Sequence, residues 1–387
     1  MTEAGAAGGS KKGARGTRAS ARGARASARA KGEDVPQVLL DLLAARGPSG
    51  YENAPAAVWL EAAGAFAQVS TDVLGTPLAL VSAKHGFESS PPRLLVMGHI
   101  DEIGLIVTHI DDEGYLWFRE VGGWDPQILV GQRVVLDTRD GPVTGVIGRK
   151  PIHVLREEDR KKVAEVRDMH IDIGARDGAQ ARERVRIGDV AVIDGDPVEL
   201  PNGRLTARAL DNRLGSYVAL QAARLVAEAG GAEWETAAVA AAQEEITFGG
   251  SRTSAFALEP AAAIVVDVTH ATDAPGIEVK ESGKHELGSG PVLSRGSTLN
   301  QALFELLFQT AQAEKIPFTV EASARATGTD ADAVHISRSG VPTALVSIPI
   351  RYMHSPVELV QLDDVDACTR LIVAAALRLD SETSFSP

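Results

Sequence analysis

The chain has 387 residues, of which 44% are hydrophobic and 24% charged, and its formal net charge is −13. This length allows one large domain or two domains with separate cores, and no apolar run is long enough to predict a membrane span. A single cysteine, Cys368, excludes an intramolecular disulfide and a cysteine-based metal cluster. We therefore expect a cytoplasmic protein in which any metal site uses histidine and carboxylate ligands.

The first 32 residues differ in charge from the rest of the chain. They contain eight Lys or Arg residues against one acid, Glu3, and so carry +7, which leaves −20 for the remainder. Repeated Ala, Gly, Ser and Arg without aromatic residues predict a disordered basic tail over residues 1–34. A solvated extension is the favoured interpretation. A targeting peptide and a nucleic-acid arm remain open, although the segment lacks the apolar core of a secretory signal.

From Val35 onward the pattern predicts a folded α/β body. Helical spacing begins at Val35 and stops at Arg46-Gly47-Pro48, and a buried strand is predicted over residues 94–97. The other predicted elements are strands over 237–242, 263–268 and 343–348, and helices over 213–229, 299–314 and 362–378. Strands that alternate with helices predict a mainly parallel or mixed sheet flanked by helices.

One internal segment has a different pattern. Residues 105–200 contain short β-like runs separated by Gly, Asp and Pro turns, which predicts a small barrel or sandwich. We therefore expect a main α/β domain made of residues 35–104 and 205–387. A small β-barrel domain over residues 105–204 interrupts it.

Polar residues stand just after the predicted strands or just before a helix, where ligands gather in open α/β sheets. They are His99, Asp101, Asp211, Glu244, Glu245, Asp267 and His354. Each one alone is more typical of a structural hydrogen bond or a helix cap. Together, the imidazoles of His99 and His354 and three of these carboxylates can form a ligand set for two divalent ions that share a bridging carboxylate. Two dications would also offset the repulsion between close carboxylates.

Two spacings add detail to this hypothesis. Asp101 follows His99 by two residues, so in an extended segment both side chains lie on one side and the carboxylate can accept the second imidazole N–H. Glu244 and Glu245 are adjacent and point apart. One of them can bind a metal while the other accepts a proton from water.

Several motifs extend the pattern along most of the chain. The main ones are GHIDEIG (98–104), ALDNRLG (209–215), QEE (243–245), DVTHA (267–271), GTDADA (328–333) and SIPIRYMHSPVE (347–358). Shorter ones are PSGYE (48–52), GGWDP (122–126), KPIH (150–153) and VRIGD (185–189). In these motifs and their order, the chain resembles the tetrahedral dodecameric metallo-aminopeptidases. This is the TET-like glutamyl aminopeptidase family, some of whose members carry the name endoglucanase.

The resemblance implies a function for each candidate residue. The implied metal ligands are His99 and Asp267 for one ion, Glu245 and His354 for the other, and Asp211 as the bridge. Glu244 would be the general base, and Asp101 would orient His99. The implied cofactors are two divalent ions per subunit, Zn²⁺ or Co²⁺.

The resemblance also implies an activity and an assembly. The expected reaction is removal of N-terminal residues from short peptides by an activated water, on a fold of the dinuclear zinc exopeptidase type. The β-barrel would be a dimerisation domain, and homodimers would assemble into a dodecamer around an inner chamber. We expect peptide substrates, no membrane and no nucleic-acid partner.

One departure from the family pattern keeps an alternative substrate open. After QEE the chain continues ITFGG (246–250), where the family commonly has VGLRG. An amidase or deacylase acting on a small peptide-like metabolite with the same dinuclear site is therefore the alternative. A glycosidase is less favoured because its carboxylate pair needs no histidine ligands. A nucleic-acid-binding protein would leave the histidine and carboxylate set unexplained.

Overall fold

The computed structural model describes residues 34–84 and 91–385, so residues 1–33 of the predicted basic tail lie outside the described part of the chain. Its helices are α1 (Gln37–Ala44), α2 (Asn53–Gly64), α3 (Pro126–Leu129), α4 (Gly178–Arg184), α5 (Leu210–Glu228), α6 (Glu244–Thr247), α7 (Gly249–Leu258), α8 (Val279–Ser282), α9 (Gln301–Glu314), α10 (Ala331–Val334) and α11 (Leu362–Ala376). None of these helices is long and apolar enough to cross a bilayer.

The strands follow the same numbering along the chain. They are β1 (Gln68–Thr71), β2 (Pro77–Val81), β3 (Arg93–His99), β4 (Gly104–Ile110), β5 (Leu116–Val121), β6 (Arg133–Thr138), β7 (Gly141–Arg149), β8 (Met169–Asp172), β9 (Val190–Ile193), β10 (Val198–Leu200), β11 (Arg204–Ala207), β12 (Glu235–Ala241), β13 (Ala262–His270), β14 (Val292–Gly296), β15 (Thr319–Ser323), β16 (Thr343–Arg351) and β17 (Glu358–Gln361). They form two separate sheets.

The larger sheet is mixed and has a parallel centre. Its order is β1-β2-β12-β3-β13-β16-β17-β11-β10, with β14 pairing with β16 and β15 pairing with β14. Strands β12, β3, β13 and β16 run parallel, so their carboxyl ends lie at one edge. That edge receives the residues that follow each of these strands, which is where the candidate residues were predicted.

The central strand β3 is buried on both faces. Leu94 and Val96 belong to the apolar core shared with α5, α9 and α11, whereas Leu95 and Met97 belong to the core on the opposite face. Successive side chains of a strand point to opposite faces, so a strand covered on both sides has a continuous apolar sequence. This explains why the run over residues 94–97 predicts a buried strand.

A close approach between β3 and α5 brings two chemical motifs together. A Cβ added at Gly98 would lie 2.3 Å from the carbonyl carbon of Gly215. Only glycine permits this approach of two backbones. His99 at the end of β3 consequently lies beside Asp211 at the start of α5, where both Asp211 and Asn212 have non-helical backbone angles.

The second sheet is a closed barrel of six antiparallel strands in the order β4-β5-β8-β7-β6-β9. Leu105, Leu116, Val134 and Ile171 are among the residues of its own apolar core. The barrel strands span residues 104–193. Strands β10 and β11 return the chain to the larger sheet, where they pair with each other and β11 also pairs with β17.

The predicted fold class is confirmed by this architecture, a mixed α/β sheet with helices and a closed barrel. The sequence analysis did not anticipate α2, nor the pairing of β14 with β15. Helix α2 has Ala, Gly and Pro in its sequence and a low amphipathicity, so it lacks the apolar stripe that identifies a surface helix.

Candidate metal centre

The candidate residues meet at the carboxyl edge of the parallel strands. His99 ends β3, Asp267 lies in β13, and Glu244 and Glu245 begin α6 directly after β12. Ala241 of β12 pairs with His99, and Val265 of β13 pairs with Met97, two residues before His99. The sheet register therefore sets these side chains at the same level.

His99 is buried and is held from the Nδ1 side. Its Nδ1 lies 3.3 Å from both the carbonyl oxygen and Oδ1 of Asp101. The Asp101 carboxylate also accepts hydrogen bonds from the Ser49 hydroxyl and from the backbone N–H groups of Glu244 and Glu245, the last two at 3.0 and 3.1 Å. One carboxylate therefore fixes both an imidazole and the turn that carries the two glutamates.

His354 lies in the loop after β16 and is held in a comparable way. Its Nδ1 donates to the Gly123 carbonyl at 2.8 Å, and its backbone N–H donates to Glu358 at 2.9 Å. A carbonyl oxygen can only accept, so Nδ1 carries the proton and Nε2 points into the site. His354 has a positive φ of 58°, as does Tyr352 at 61°, so the loop is conformationally constrained.

Asp211 lies between the two imidazoles. Its Oδ1 is 3.1 Å from Nε2 of His99, and its Oδ2 is 3.3 Å from Nε2 of His354. Its backbone N–H donates to Glu358 at 3.0 Å, so Glu358 contacts both Asp211 and His354 through their backbones. Each oxygen of one carboxylate thus faces a different histidine.

The remaining acids complete two groups of ligand atoms. One group joins His99, Asp211 and Glu245, and the other joins His99, Glu244 and Asp267. Glu244 and Asp267 lie 3.7 and 3.9 Å from Nε2 of His99, and Glu245 lies 3.3 Å from Nε2 of His354. In each group the ligand atoms lie within 4.8 Å of one another, close enough to share an ion.

Proton affinities in this cluster are strongly shifted. Burial raises the pKa of Glu244 to about 10 and the pKa of Asp267 well above its usual range. Hydrogen bonds to Asp211 and Glu245 raise the pKa of His354 to about 11. Burial opposes ionisation of Asp211, but its contacts with His354 and His99 lower its pKa. In the metal-free protein, bound protons thus reduce the negative charge of these acids. Divalent cations can balance the same charge, and the histidine and carboxylate donors fit such cations.

Four residues in or near the centre were not singled out by the sequence analysis. Ser49, Gly123 and Glu358 contact Asp101 or His354 as described above, and they lie in the PSGYE, GGWDP and SPVE segments. Asp330, from GTDADA, is buried, and burial raises its pKa to about 6. Only the motifs indicated these residues, because a contact made by a backbone group, such as the Gly123 carbonyl, does not depend on residue type.

A buried ion-pair cluster stabilises the base of the site. Glu102 pairs with Arg208 and, at 3.1 Å, with Arg213, and it accepts the Gly47 backbone N–H at 3.0 Å. Arg213 also donates to carbonyl groups at the end of α1. These contacts join α1, the end of β3 and the start of α5, which fixes the backbone that carries Asp211.

A cavity of about 380 Å³ opens in front of the cluster. His99, Asp211, Glu244, Glu245, Asp267 and His354 form its floor. Phe248, Thr269, Thr327 and Met353 are part of the wall that continues away from this floor. The cavity therefore has one acid-rich end and one end without ligand side chains.

The chain is similar to known peptidases over most of its length. Residues 79–371 match the M42 glutamyl aminopeptidase family. The chain is 38% identical to a lysyl aminopeptidase of Pyrococcus furiosus, over 79% of this chain and 86% of that one. A solved TET aminopeptidase from a marine-sediment archaeon of the Thaumarchaeota is 37% identical with a TM-score of 0.84, over 89% of this chain and 96% of that one. The Pyrococcus horikoshii TET1 peptidase, which can assemble into a tetrahedron or a large octahedral shell, is 30% identical with a TM-score of 0.78, over 89% and 99%.

A mixed sheet joined to a closed barrel, with acids and histidines gathered at the strand ends, defines a peptide hydrolase of the aminopeptidase class. The chain belongs to the M42 glutamyl aminopeptidase family. The family resemblance and the enzyme class predicted from the sequence are therefore confirmed. Divalent metal ions are general for this family, and the cluster offers the histidine and carboxylate groups that could bind them.

Proposed function

We propose that the protein is a two-metal aminopeptidase that removes N-terminal residues from short peptides. The arrangement of both imidazoles around Asp211 carries this proposal. Nδ1 of each histidine is engaged by Asp101 or by Gly123, so each Nε2 faces a carboxylate oxygen at 3.1 to 3.3 Å. A nitrogen lone pair and a carboxylate at that distance need a shared cation, which is a proton or a metal ion.

The family resemblance implies a division of ligands between two ions, and the approach of both imidazoles to Asp211 supports its central position. In this proposal His99 and Asp267 would hold one ion, Glu245 and His354 would hold the other, and Asp211 would be shared by both. Nitrogen and oxygen donors of this kind suit Zn²⁺ or Co²⁺. Bound there, the two ions would supply Lewis-acid activation of a water and of the scissile carbonyl.

Glu244 is assigned as the general base. Its carboxylate lies at the floor of the cavity beside His99, and its backbone N–H is fixed by Asp101. It would accept the proton that the attacking water loses and then return it to the leaving amine. Asp101 is a positioning residue in this scheme, because it holds both the His99 ring and the Glu244 backbone.

The acid-rich floor also supports action at a free N-terminus. Asp267 and its neighbours would attract the positively charged α-amine of a peptide and so align its first peptide bond. Equal cleavage of free and N-acetylated peptides would contradict this step.

The assembly is proposed from the structural relatives. The barrel has its own core and would act as a dimerisation domain, with dimers assembling into a homododecamer as expected from the sequence. Sedimentation of the purified full-length chain at defined metal concentrations would test this.

The test of function is hydrolysis of a panel of aminoacyl anilides, with and without a chelator and after metal readdition. We expect cleavage that stops on chelation and returns with Zn²⁺ or Co²⁺. Acylated dipeptides in the same panel test the alternative, an amidase or deacylase that acts on a small peptide-like metabolite. Faster hydrolysis of the acylated compounds would favour that alternative over the aminopeptidase.

A further inference from the structure

The wall of the cavity beyond the metal ligands has little charge. Phe248, Val268 and Met353 supply apolar surface, and Thr269, Thr327 and Thr329 supply short side chains with a hydroxyl and a methyl group. Among the described residues that line this cavity, none is Lys or Arg, and His270 at the exposed end of β13 is the basic side chain. A substrate carboxylate entering here would meet no guanidinium or ammonium group.

The hydroxyl groups of this wall are engaged within the protein. The Thr327 hydroxyl contacts Asp332 and the Thr329 hydroxyl, both at 2.9 Å, and the Thr329 hydroxyl accepts the Ala331 backbone N–H at 3.2 Å. The Thr269 hydroxyl donates to Glu321 at 3.5 Å. These contacts fix the positions of the three threonine side chains. They also use part of the hydrogen-bonding capacity of the hydroxyl groups.

Two acids behind the wall are also engaged. Asp332 accepts three hydrogen bonds from Thr327 and Gly328 at 2.7 to 2.9 Å. Glu321 accepts from the Ser294 hydroxyl and from Thr269. Both carboxylates therefore stabilise the wall itself, and neither lines the cavity as a free partner for a substrate ammonium group.

The charge of the floor also disfavours acidic substrates. Two divalent ions would balance the four acids Asp211, Glu244, Glu245 and Asp267. Buried Asp101 and Asp330 stand behind them and add negative charge. A substrate carboxylate would lose hydration in the cavity and be repelled by this charge, whereas a neutral side chain has a smaller desolvation cost and is not repelled.

We propose that the wall formed by Phe248, Thr269, Thr327 and Met353 selects peptides with an uncharged, medium-sized N-terminal residue and rejects acidic ones. This inference rests on the aminopeptidase function proposed above. Apolar contact with Phe248 and Met353 favours Met and Leu, and a neutral amide is tolerated where a carboxylate is not. Lysine can extend its ammonium group toward the open mouth, so its penalty against methionine is smaller.

The experiment compares anilides that differ in one property. Gln and Glu anilides have the same shape and differ in charge, and Met and Lys anilides have similar length. We expect kcat/KM for Gln to exceed that for Glu by about 10- to 100-fold, and Met to exceed Lys by several-fold. A ratio near one for Gln and Glu, or a preference for Lys over Met, would overturn the inference.

A charge added to the wall tests the cause of the selection. Thr269→Lys is expected to lower the Gln/Glu ratio by about tenfold, because it places an ammonium group beside the substrate side chain. Val73→Lys is the matched control, since Val73 is 97% exposed and lies outside the cavity lining. An unchanged ratio in a folded Thr269→Lys enzyme, or the same change in both variants, would overturn the assignment of this wall.

Binding to the metal-loaded Glu244→Gln variant gives a readout that does not need turnover. Calorimetric titration with Gln-Gly and Glu-Gly dipeptides should show weaker binding of the acidic peptide. Equal or tighter binding of Glu-Gly would overturn the selectivity while the aminopeptidase function stands. If neither dipeptide binds and no anilide is cleaved, the function fails and the selectivity fails with it.

Discussion

The two halves of the metal centre are built in different ways. The side chain of His99 is 2% exposed, and Asp101, its Nδ1 partner, is only two positions away. The side chain of His354 is 36% exposed, and its partner, Gly123, is 231 positions away in the segment between the barrel strand β5 and helix α3. The first half is therefore fixed by the end of one strand, whereas the second depends on how the barrel segment lies against the main domain.

Two histidines held in a similar geometry can therefore contribute unequally to the stability of the fold. A buried imidazole surrounded by acids contributes to the stability of the fold, because removing it takes away the cationic partner of several buried carboxylates. A partly exposed imidazole on a loop can be removed at lower cost, because water replaces it. The following changes would break or sharpen this comparison.

Glu244→Gln should have the largest effect, and it should leave both halves of the centre intact. We expect activity to fall by about 10² to 10⁴, the usual size for loss of a general base, with metal content unchanged. Steady-state kinetics and elemental analysis of the same preparation measure both quantities. Unchanged turnover would remove Glu244 from the mechanism.

His99→Ala should destabilise the metal-free protein strongly. Asp101 and Asp211 would lose their shared buried partner, so we expect the free energy of unfolding to fall by about 3 kcal/mol. Urea denaturation after chelation measures this loss. His109→Ala, an exposed histidine on β4, is the control and should change the free energy by less than about 0.5 kcal/mol.

His354→Ala should separate metal binding from stability. We expect a folded protein that retains one of its two ions, with the free energy of unfolding lowered by less than in His99→Ala because His354 is partly exposed. Elemental analysis and urea denaturation measure the two effects. Two ions per chain in the variant would contradict the ligand assignment, and a loss of stability equal to that of His99→Ala would contradict the comparison.

Metal uptake should release protons. Hydrogen bonds to Asp211 and Glu245 raise the pKa of the ligand His354 to about 11, so the metal-free protein holds this proton at pH 7 to 8. Ions must displace protons from the ligands they bind, so the apparent affinity should rise with pH across this range. Calorimetry in buffers of different ionisation enthalpy measures the release. His354→Ala should release fewer protons, and no release from the unsubstituted protein would contradict the shifts.

Much of this edge of the sheet was predictable because several candidate residues lie in or just after an apolar run. The run over 94–97 is followed by His99, and the run over 263–268 contains Asp267, so the rule for parallel strands placed both at one edge. The motifs then indicated which of the acids belong together. Their roles as ligands and base remain predictions.

The contacts that hold the centre were less predictable for a physical reason. Gly123 acts through its carbonyl, which every residue type possesses, and Glu358 accepts the backbone N–H of nearby His354 and that of Asp211, 147 positions away. Neither contact produces periodicity or a distinctive spacing. The proposed selective wall was also not predictable, because the hydrogen bonds between Thr327 and Asp332 form only when the loop folds.

The position of the barrel along the chain has a consequence for biosynthesis. Arg93 of β3 contacts Glu235 of β12 across 142 positions, whereas the barrel strands pair within residues 104–193. The ribosome therefore synthesises the whole barrel before it reaches β12 and β13, the two strands that flank β3 in the sheet. Long-range pairing is the slow part of folding, so we expect the nascent chain to form its barrel first and to bring the candidate metal ligands together last.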